Sequence, residues 1–165
     1  MVRVTELLYL MLPAYLANMT PPFIRFWHGW NRPISERWLG SHKTVAGAVA
    51  GICVAFIAAF AQSRVHWQGS ILDYDRWPLI GLLLGTGAIG GDIVKSFFKR
   101  RMKIAPGGRW IPADQLDFGI GALILISSMA HLSWLDAVTI LAITFVGDII
   151  VNQLAFRLHI RDTAW

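Results

Sequence analysis

Five stretches of the chain run without charge for about the length of a membrane-crossing helix. Leu7–Ile24 covers 18 residues, Thr44–Ser63 20, Trp77–Gly91 15, Phe118–Leu135 18 and Ala137–Phe156 20, the last interrupted only by Asp148. A spanning helix needs about 20 mostly apolar residues, within a range of about 17–25. Four stretches meet that length as they stand. The third meets it if its helix continues through Asp92 and Lys95. The pattern predicts an all-α integral membrane protein with about five transmembrane helices. Residues 1–165 then form a single domain, with polar loops at about 21–43 and 95–117.

Composition decides against a soluble alternative. The chain is 55% apolar and 15% charged, where soluble domains average about 45–50% and about 25%. Its mean hydropathy is +0.51. A soluble protein of 165 residues could not bury five such segments. Few charges and 12% aromatics also exclude a disordered chain. Cys53 is alone, in the second apolar stretch, so no internal disulfide is expected. The N-terminus lacks the charged run and small-residue site of a cleavable signal, so the first span is expected to stay as the insertion signal.

Charge placement supplies an orientation. Arg25, Arg32, Arg37 and Lys43 stand in the first polar loop against Glu36, and Lys95, Lys99, Arg100, Arg101, Lys103 and Arg109 in the second against Asp114. Arg157 and Arg161 add to the C-terminal tail. The other side holds Arg3, Arg64 and Arg76 with Glu6, Asp73 and Asp75 beside them. The positive-inside rule puts both basic loops and the C-terminus in the cytoplasm and the N-terminus outside.

Glycine pairs four apart, Gly47/Gly51, Gly81/Gly85 and Gly87/Gly91, predict close helix packing within the chain, with a homodimer face as the alternative. Gly85-Thr86-Gly87-Ala88-Ile89-Gly90 matches a dinucleotide fingerprint by letter only. It lies inside a span, and no acidic residue follows between Asp92 and Asp114, so a cofactor site is rejected.

The candidate chemistry follows that run. Asp92, Lys95, Ser96 and Lys99 occupy i, i+3, i+4 and i+7, one face of a helix at the membrane edge. Basic residues there are ordinarily interfacial anchors, but a carboxylate gains nothing from anionic lipid. Pro106-Gly107-Gly108 breaks the helix, and Asp114-Gln115-Leu116-Asp117 leads into the fourth span. Asp114 alone would be read as a helix cap. Three carboxylates beside six basic residues point instead to Mg²⁺ with substrate phosphates. Thr144, Asp148 and Asn152 form a polar stripe on the fifth span, either a functional site or an interhelical hydrogen bond. Asn18, near the end of the first span, is similarly open. His28, His42, His66, His131 and His159 show no metal-ligand spacing.

These residues carry a resemblance. The chain resembles the CDP-archaeol synthases, membrane cytidylyltransferases of ether-lipid synthesis, over nearly its whole length. The likeness runs through Leu12-Pro13-Ala14-Tyr15-Leu16-Ala17-Asn18 and through Leu39-Gly40-Ser41-His42-Lys43-Thr44 with Gly47. It is strongest over Gly91-Asp92, Lys95-Ser96-Phe97, Lys99-Arg100-Arg101 and Asp114-Gln115-Leu116-Asp117-Phe118, and resumes at Asn152-Gln153-Leu154-Ala155-Phe156.

The resemblance implies transfer of CMP from CTP to 2,3-bis-O-geranylgeranylglycerol 1-phosphate, giving CDP-archaeol and pyrophosphate. It implies Mg²⁺ on Asp92, Asp114 and Asp117. Lys43, Lys95, Lys99 and Arg100 would neutralise phosphates, with Thr44, Ser96, Asn18 and Gln115 as polar contacts. The partners implied are CTP and a lipid phosphate in the membrane, not nucleic acid. The location implied is the plasma membrane, with the site on its cytoplasmic side. Phosphatidic acid is the alternative acceptor. A small transporter using Asp92 and Asp148, or a scaffold recruiting anionic lipid, are rivals from other classes. The transporter reading lacks the internal repeats common in that class. The scaffold predicts that the three aspartates are dispensable.

Overall fold

The computed structural model describes residues 2–26, 29, 31–105 and 108–159. His28, Pro106, Gly107 and Arg161 of the sequence reading lie outside the described residues. The described chain is helical: α1 (Val2–Met19), α2 (Glu36–Leu39), α3 (Val45–Val65), α4 (Trp77–Arg101), α5 (Ala113–Ile126) and α6 (Trp134–Arg157), with 3₁₀ turns at Pro21–Phe26 and Tyr74–Arg76. Among the described residues there is no strand, only an isolated bridge between Pro33 and Thr44. The dinucleotide-like run therefore sits mid-helix in α4, as its rejection required.

Four segments are long and apolar enough to cross a membrane: Val2–Ile24, Val45–Val65, Tyr74–Arg101 and Trp134–Arg157. The third apolar stretch does continue through Asp92 and Lys95, and reaches 25 helical residues. The fourth differs from expectation. α5 ends at Ile126, so its 14 residues extend about 21 Å at about 1.5 Å per residue, short of the about 30 Å of hydrocarbon core. Ser127 and Ser128 turn their hydroxyls back onto the carbonyls of Ile124 and Leu125. The chain then runs without helix to Ser133, whose side chain caps α6. The first span ends at Ile24 as expected but begins earlier, at Val2, and its α-helix gives way after Met19 to the 3₁₀ turn that starts at Pro21.

The long helices alternate in direction. α1 packs against α3, α4, α5 and α6. It turns Leu7, Leu10, Met11, Ala14 and Ala17 inward, against Ala55, Ile80, Leu84, Phe118 and Ala122 among others. That spacing is one helical face. Small residues let the backbones approach. A Cβ on Gly81 would stand 2.8 Å from Cα of Phe56, and one on Gly85 would stand 2.8 Å from Cβ of Ala55. The glycine pairs of α4 thus serve packing within the chain.

Polar clasps fix one end of the bundle. Arg3 donates to both oxygens of Asp136 at 2.8 and 2.7 Å, while Asp136 completes a capping box with Ser133. Gln62 Nε2 donates to the carbonyl of Tyr9 at 2.6 Å, and the Tyr9 hydroxyl returns to that of Gln62 at 3.2 Å. In the bundle interior, Tyr15 and Thr144 share a hydroxyl–hydroxyl bond at 3.0 Å. That is the interhelical reading of the α6 polar stripe. One turn on, Asn152 Nδ2 donates to Asp148 Oδ2 at 2.7 Å.

Candidate active site

The opposite end of the bundle gathers the charges. Asp92, Lys95 and Lys99 project from one face of α4, and Asp114 and Asp117 from one face of α5. These faces meet because the two helices run antiparallel in backbone contact. A Cβ on Gly87 would lie 2.6 Å from the carbonyl oxygen of Gly121. One on Gly91 would collide with the carbonyl of Asp117. The glycines set the helix separation, and the separation brings the carboxylates within reach of the lysines.

Lys95 is the hub. Its Nζ lies 2.7 Å from Asp117 Oδ2, 3.0 Å from Asp92 Oδ1 and 3.5 Å from Asp114 Oδ1. Lys99 Nζ donates to both oxygens of Asp114 at 2.7 and 3.0 Å. The backbone N–H of Trp110 donates to Asp114 Oδ2 at 2.6 Å, which ties the chain entering α5 to its first turn. Lys43 donates to Asp92 Oδ2 from outside the helix pair. Three carboxylates and three ammoniums therefore interlock in a mostly buried network. Buried charges persist only when so compensated.

Lys43 is delivered by a short hairpin. Ile34 N–H donates to the carbonyl of Lys43 at 2.8 Å, and Val45 N–H to that of Arg32 at 3.0 Å. The hairpin is pinned to α4 by Trp38, which stacks on Phe97 with ring centroids 5.8 Å apart. The Arg101 guanidinium covers the Trp38 ring at 4.5 Å.

The remaining sequence candidates have more local positions. Ser96 is buried and donates to the Asp92 carbonyl at 2.8 Å. Thr44 caps α3, its hydroxyl accepting from Gly47 N–H at 3.1 Å. Gln115 is buried, and its Oε1 has no hydrogen-bond partner among the described residues. Arg100 Nε is likewise buried without a partner there. Asn18, half-buried at the end of α1, stands outside the ion-pair network. Trp110, Trp38 and Phe97 were not legible as site residues, because their contributions are a backbone N–H and a ring stack.

Carboxylate oxygens are the donors Mg²⁺ takes, usually one or two of them together with substrate phosphates. The donor chemistry here fits such an ion. Among the described residues no three His, Cys, Asp or Glu side chains are placed to hold a metal by themselves. The ammonium of Lys95 stands where the three carboxylates converge.

Comparison with known proteins identifies the family and the fold. The model of a family described as CarS-like, CDP-archaeol synthase, matches residues 1–165. A CDP-archaeol synthase of Methanospirillum hungatei is 34% identical over 166 residues, covering 94% of this chain and 100% of that one. A CDP-archaeol synthase of Saccharolobus islandicus is 31% identical over 159 residues, covering 93% and 92%. A solved structure, described as an intramembrane enzyme for archaeal membrane lipids biosynthesis, superposes with a TM-score of 0.76 at 28% identity. It covers 90% of this chain and 94% of its own. The fold and these comparisons together define an integral membrane enzyme, with no strand among its described residues. The chain belongs to the CDP-archaeol synthase family.

Proposed function

We propose that this protein transfers the cytidylyl group of CTP to an ether-lipid phosphate, giving CDP-archaeol and pyrophosphate. The observation that carries the reading is the interlocked Asp–Lys network at the membrane edge of α4 and α5. It offers ammoniums for phosphates and carboxylates for a cation in one place. A phosphate oxygen of the lipid attacks the α-phosphorus of CTP. The bond from that phosphorus to the bridging oxygen breaks, and pyrophosphate departs. The lipid brings its own nucleophile, so the protein's work is positioning and charge neutralisation.

In this scheme the nucleotide phosphates draw Lys43, Lys95 and Lys99 away from their carboxylates. The ammoniums then stabilise the charge that builds on the leaving pyrophosphate. Arg100, at the next turn of α4, is a further phosphate contact. Asp92, Asp114 and Asp117 would hold Mg²⁺, which when bound supplies further neutralisation of phosphate oxygens. Lys43, Arg32, Arg37, Lys103 and Arg109 crowd the same end of the bundle, which supports placing it in the cytoplasm.

The test is direct. Purified protein with CTP and Mg²⁺ is offered an archaeal ether-lipid phosphate or phosphatidic acid, and the products are read by mass spectrometry. CDP-lipid from the ether acceptor is expected, lost on EDTA treatment and regained with Mg²⁺. Product from phosphatidic acid alone would discard the ether acceptor, and product from neither would discard the reaction.

Lys43 provides a separate prediction. It reaches the network from a hairpin rather than from α4 or α5, so Lys43→Met removes one phosphate partner and leaves the helix pair in place. KM for CTP is expected to rise about tenfold, about 1.4 kcal/mol of lost binding. Steady-state kinetics with varied CTP would show it, and an unchanged KM would remove Lys43 from the nucleotide site.

A further inference from the structure

A groove of about 380 Å³ runs along the seam of α4 and α5. Its floor is the glycine contact of Gly87, Gly91 and Gly121, and its walls include Thr86 and Val94 on α4 and Ile120 and Ile124 on α5. The Thr86 hydroxyl is bonded to the carbonyl of Leu82 in its own helix. At one end the lining changes to Lys95, Asp117 and Trp110. The groove is thus continuous with the charged network. Val94, Ile120 and Ile124 are exposed on the flank of the bundle, within the apolar part of the chain. An apolar trough that opens sideways at membrane depth and ends at a cluster of ammoniums matches an amphiphile with a phosphate head.

Gly90 stands apart from the other glycines of this seam. Gly87, Gly91 and Gly121 each lie against backbone of the facing helix. A Cβ on Gly90 would meet nothing within 4 Å, although Gly90 lines the groove. Packing does not require glycine there, and glycine lowers helix propensity. What its missing side chain provides is space in the groove.

We infer that the α4–α5 groove seats an apolar chain of the lipid phosphate acceptor, head toward Lys95, and that Gly90 determines which chains it admits. This inference rests on the transferase reading. The acceptor enters laterally from the bilayer, and its chain lies against Gly90 and Ile120 while its phosphate meets Lys95.

The test compares wild type with Gly90→Ala, Gly90→Leu and, on the facing wall, Ile124→Trp. Each is assayed with the long-chain ether-lipid phosphate and with a short-chain soluble analogue, alongside CTP binding by calorimetry. For Gly90→Leu the KM for the long-chain acceptor is expected to rise about tenfold or more. Gly90→Ala should fall between it and wild type, and Ile124→Trp should act in the same direction. CTP affinity and turnover of the short-chain analogue should stay near wild type. The melting temperature of Gly90→Ala should be equal or higher. Ile57→Trp, on an exposed face of α3 away from the groove, should change none of these. Unchanged long-chain KM in both Gly90→Leu and Ile124→Trp would overturn the groove assignment. So would equal losses on the two acceptors, which would mean damage at the charged network. If wild type makes no CDP-lipid from either acceptor, the transferase reading itself fails.

Discussion

Replacing Asp92 by asparagine is expected to lower turnover between about a hundredfold and a thousandfold, the range for losing one preorganised electrostatic contact to a reacting phosphate or carbonyl. The substitution keeps the size and shape of the side chain. Asp92 is the residue that joins Lys43 of the hairpin to Lys95 of the helix pair. Neutralising it releases Lys43 and removes one of the carboxylates proposed for Mg²⁺. The fold should survive. Lys95 keeps Asp117 at 2.7 Å, Lys43 is partly exposed and can turn to water, and Ser96 bonds to the backbone of Asp92 rather than to its side chain. Initial rates and circular dichroism on the same preparation would check both halves. A control at the far end of the bundle is Asp136→Asn, which weakens the contact to Arg3 and should lower stability while leaving the chemistry alone. Wild-type turnover in Asp92→Asn would end the metal and phosphate roles assigned to this network.

Gly91→Ala should damage stability and activity together. A methyl at Gly91 collides with the carbonyl of Asp117 and comes within 3.2 Å of Cα of Phe118. Both obstacles are backbone, so neither can rotate away. Overpacking of this kind costs about 1–3 kcal/mol, occasionally more. The helix that must retreat carries Asp117, which lies 2.7 Å from Lys95. A displacement of about 1 Å at a positioned group can cost about a hundredfold in rate. Melting followed by circular dichroism in detergent, together with initial rates, should show both losses. Gly90→Ala, one residue away, should keep its melting temperature. Equal melting and turnover in Gly91→Ala and wild type would mean that backbone contact does not hold the site together.

The sequence made some of this legible and concealed the rest for definite reasons. Absence of charge over a helix's length marked the long helices, and helical spacing put Asp92, Lys95 and Lys99 on one face. The glycine spacing of α4 announced close packing, although not against which helix. Lys43 and Asp92 are 49 positions apart, and no periodicity links them; only the hairpin and the Trp38–Phe97 stack do. Lys99 and Asp114 face each other across a turn, so neither helix alone indicates the pair. The end of α5 was missed because Ser127 and Ser128 carry no charge. A hydroxyl that satisfies a carbonyl within its own turn leaves hydropathy almost unchanged. The groove was invisible for a related reason: Gly90 looks like any helix-packing glycine until the facing helix is in place.

The shortness of α5 has a consequence for the bilayer itself. With its 14 residues, α5 supplies about 21 Å of helix beside neighbours of 24 and 25 residues. The flank bearing Ile120 and Ile124 is therefore a place of hydrophobic mismatch. A span this short is met by local thinning of the bilayer or by flanking side chains reaching to the interface, at a cost of fractions of a kcal/mol per Å. Adjustment of that kind would fall along the seam of α4 and α5, the flank that the groove occupies.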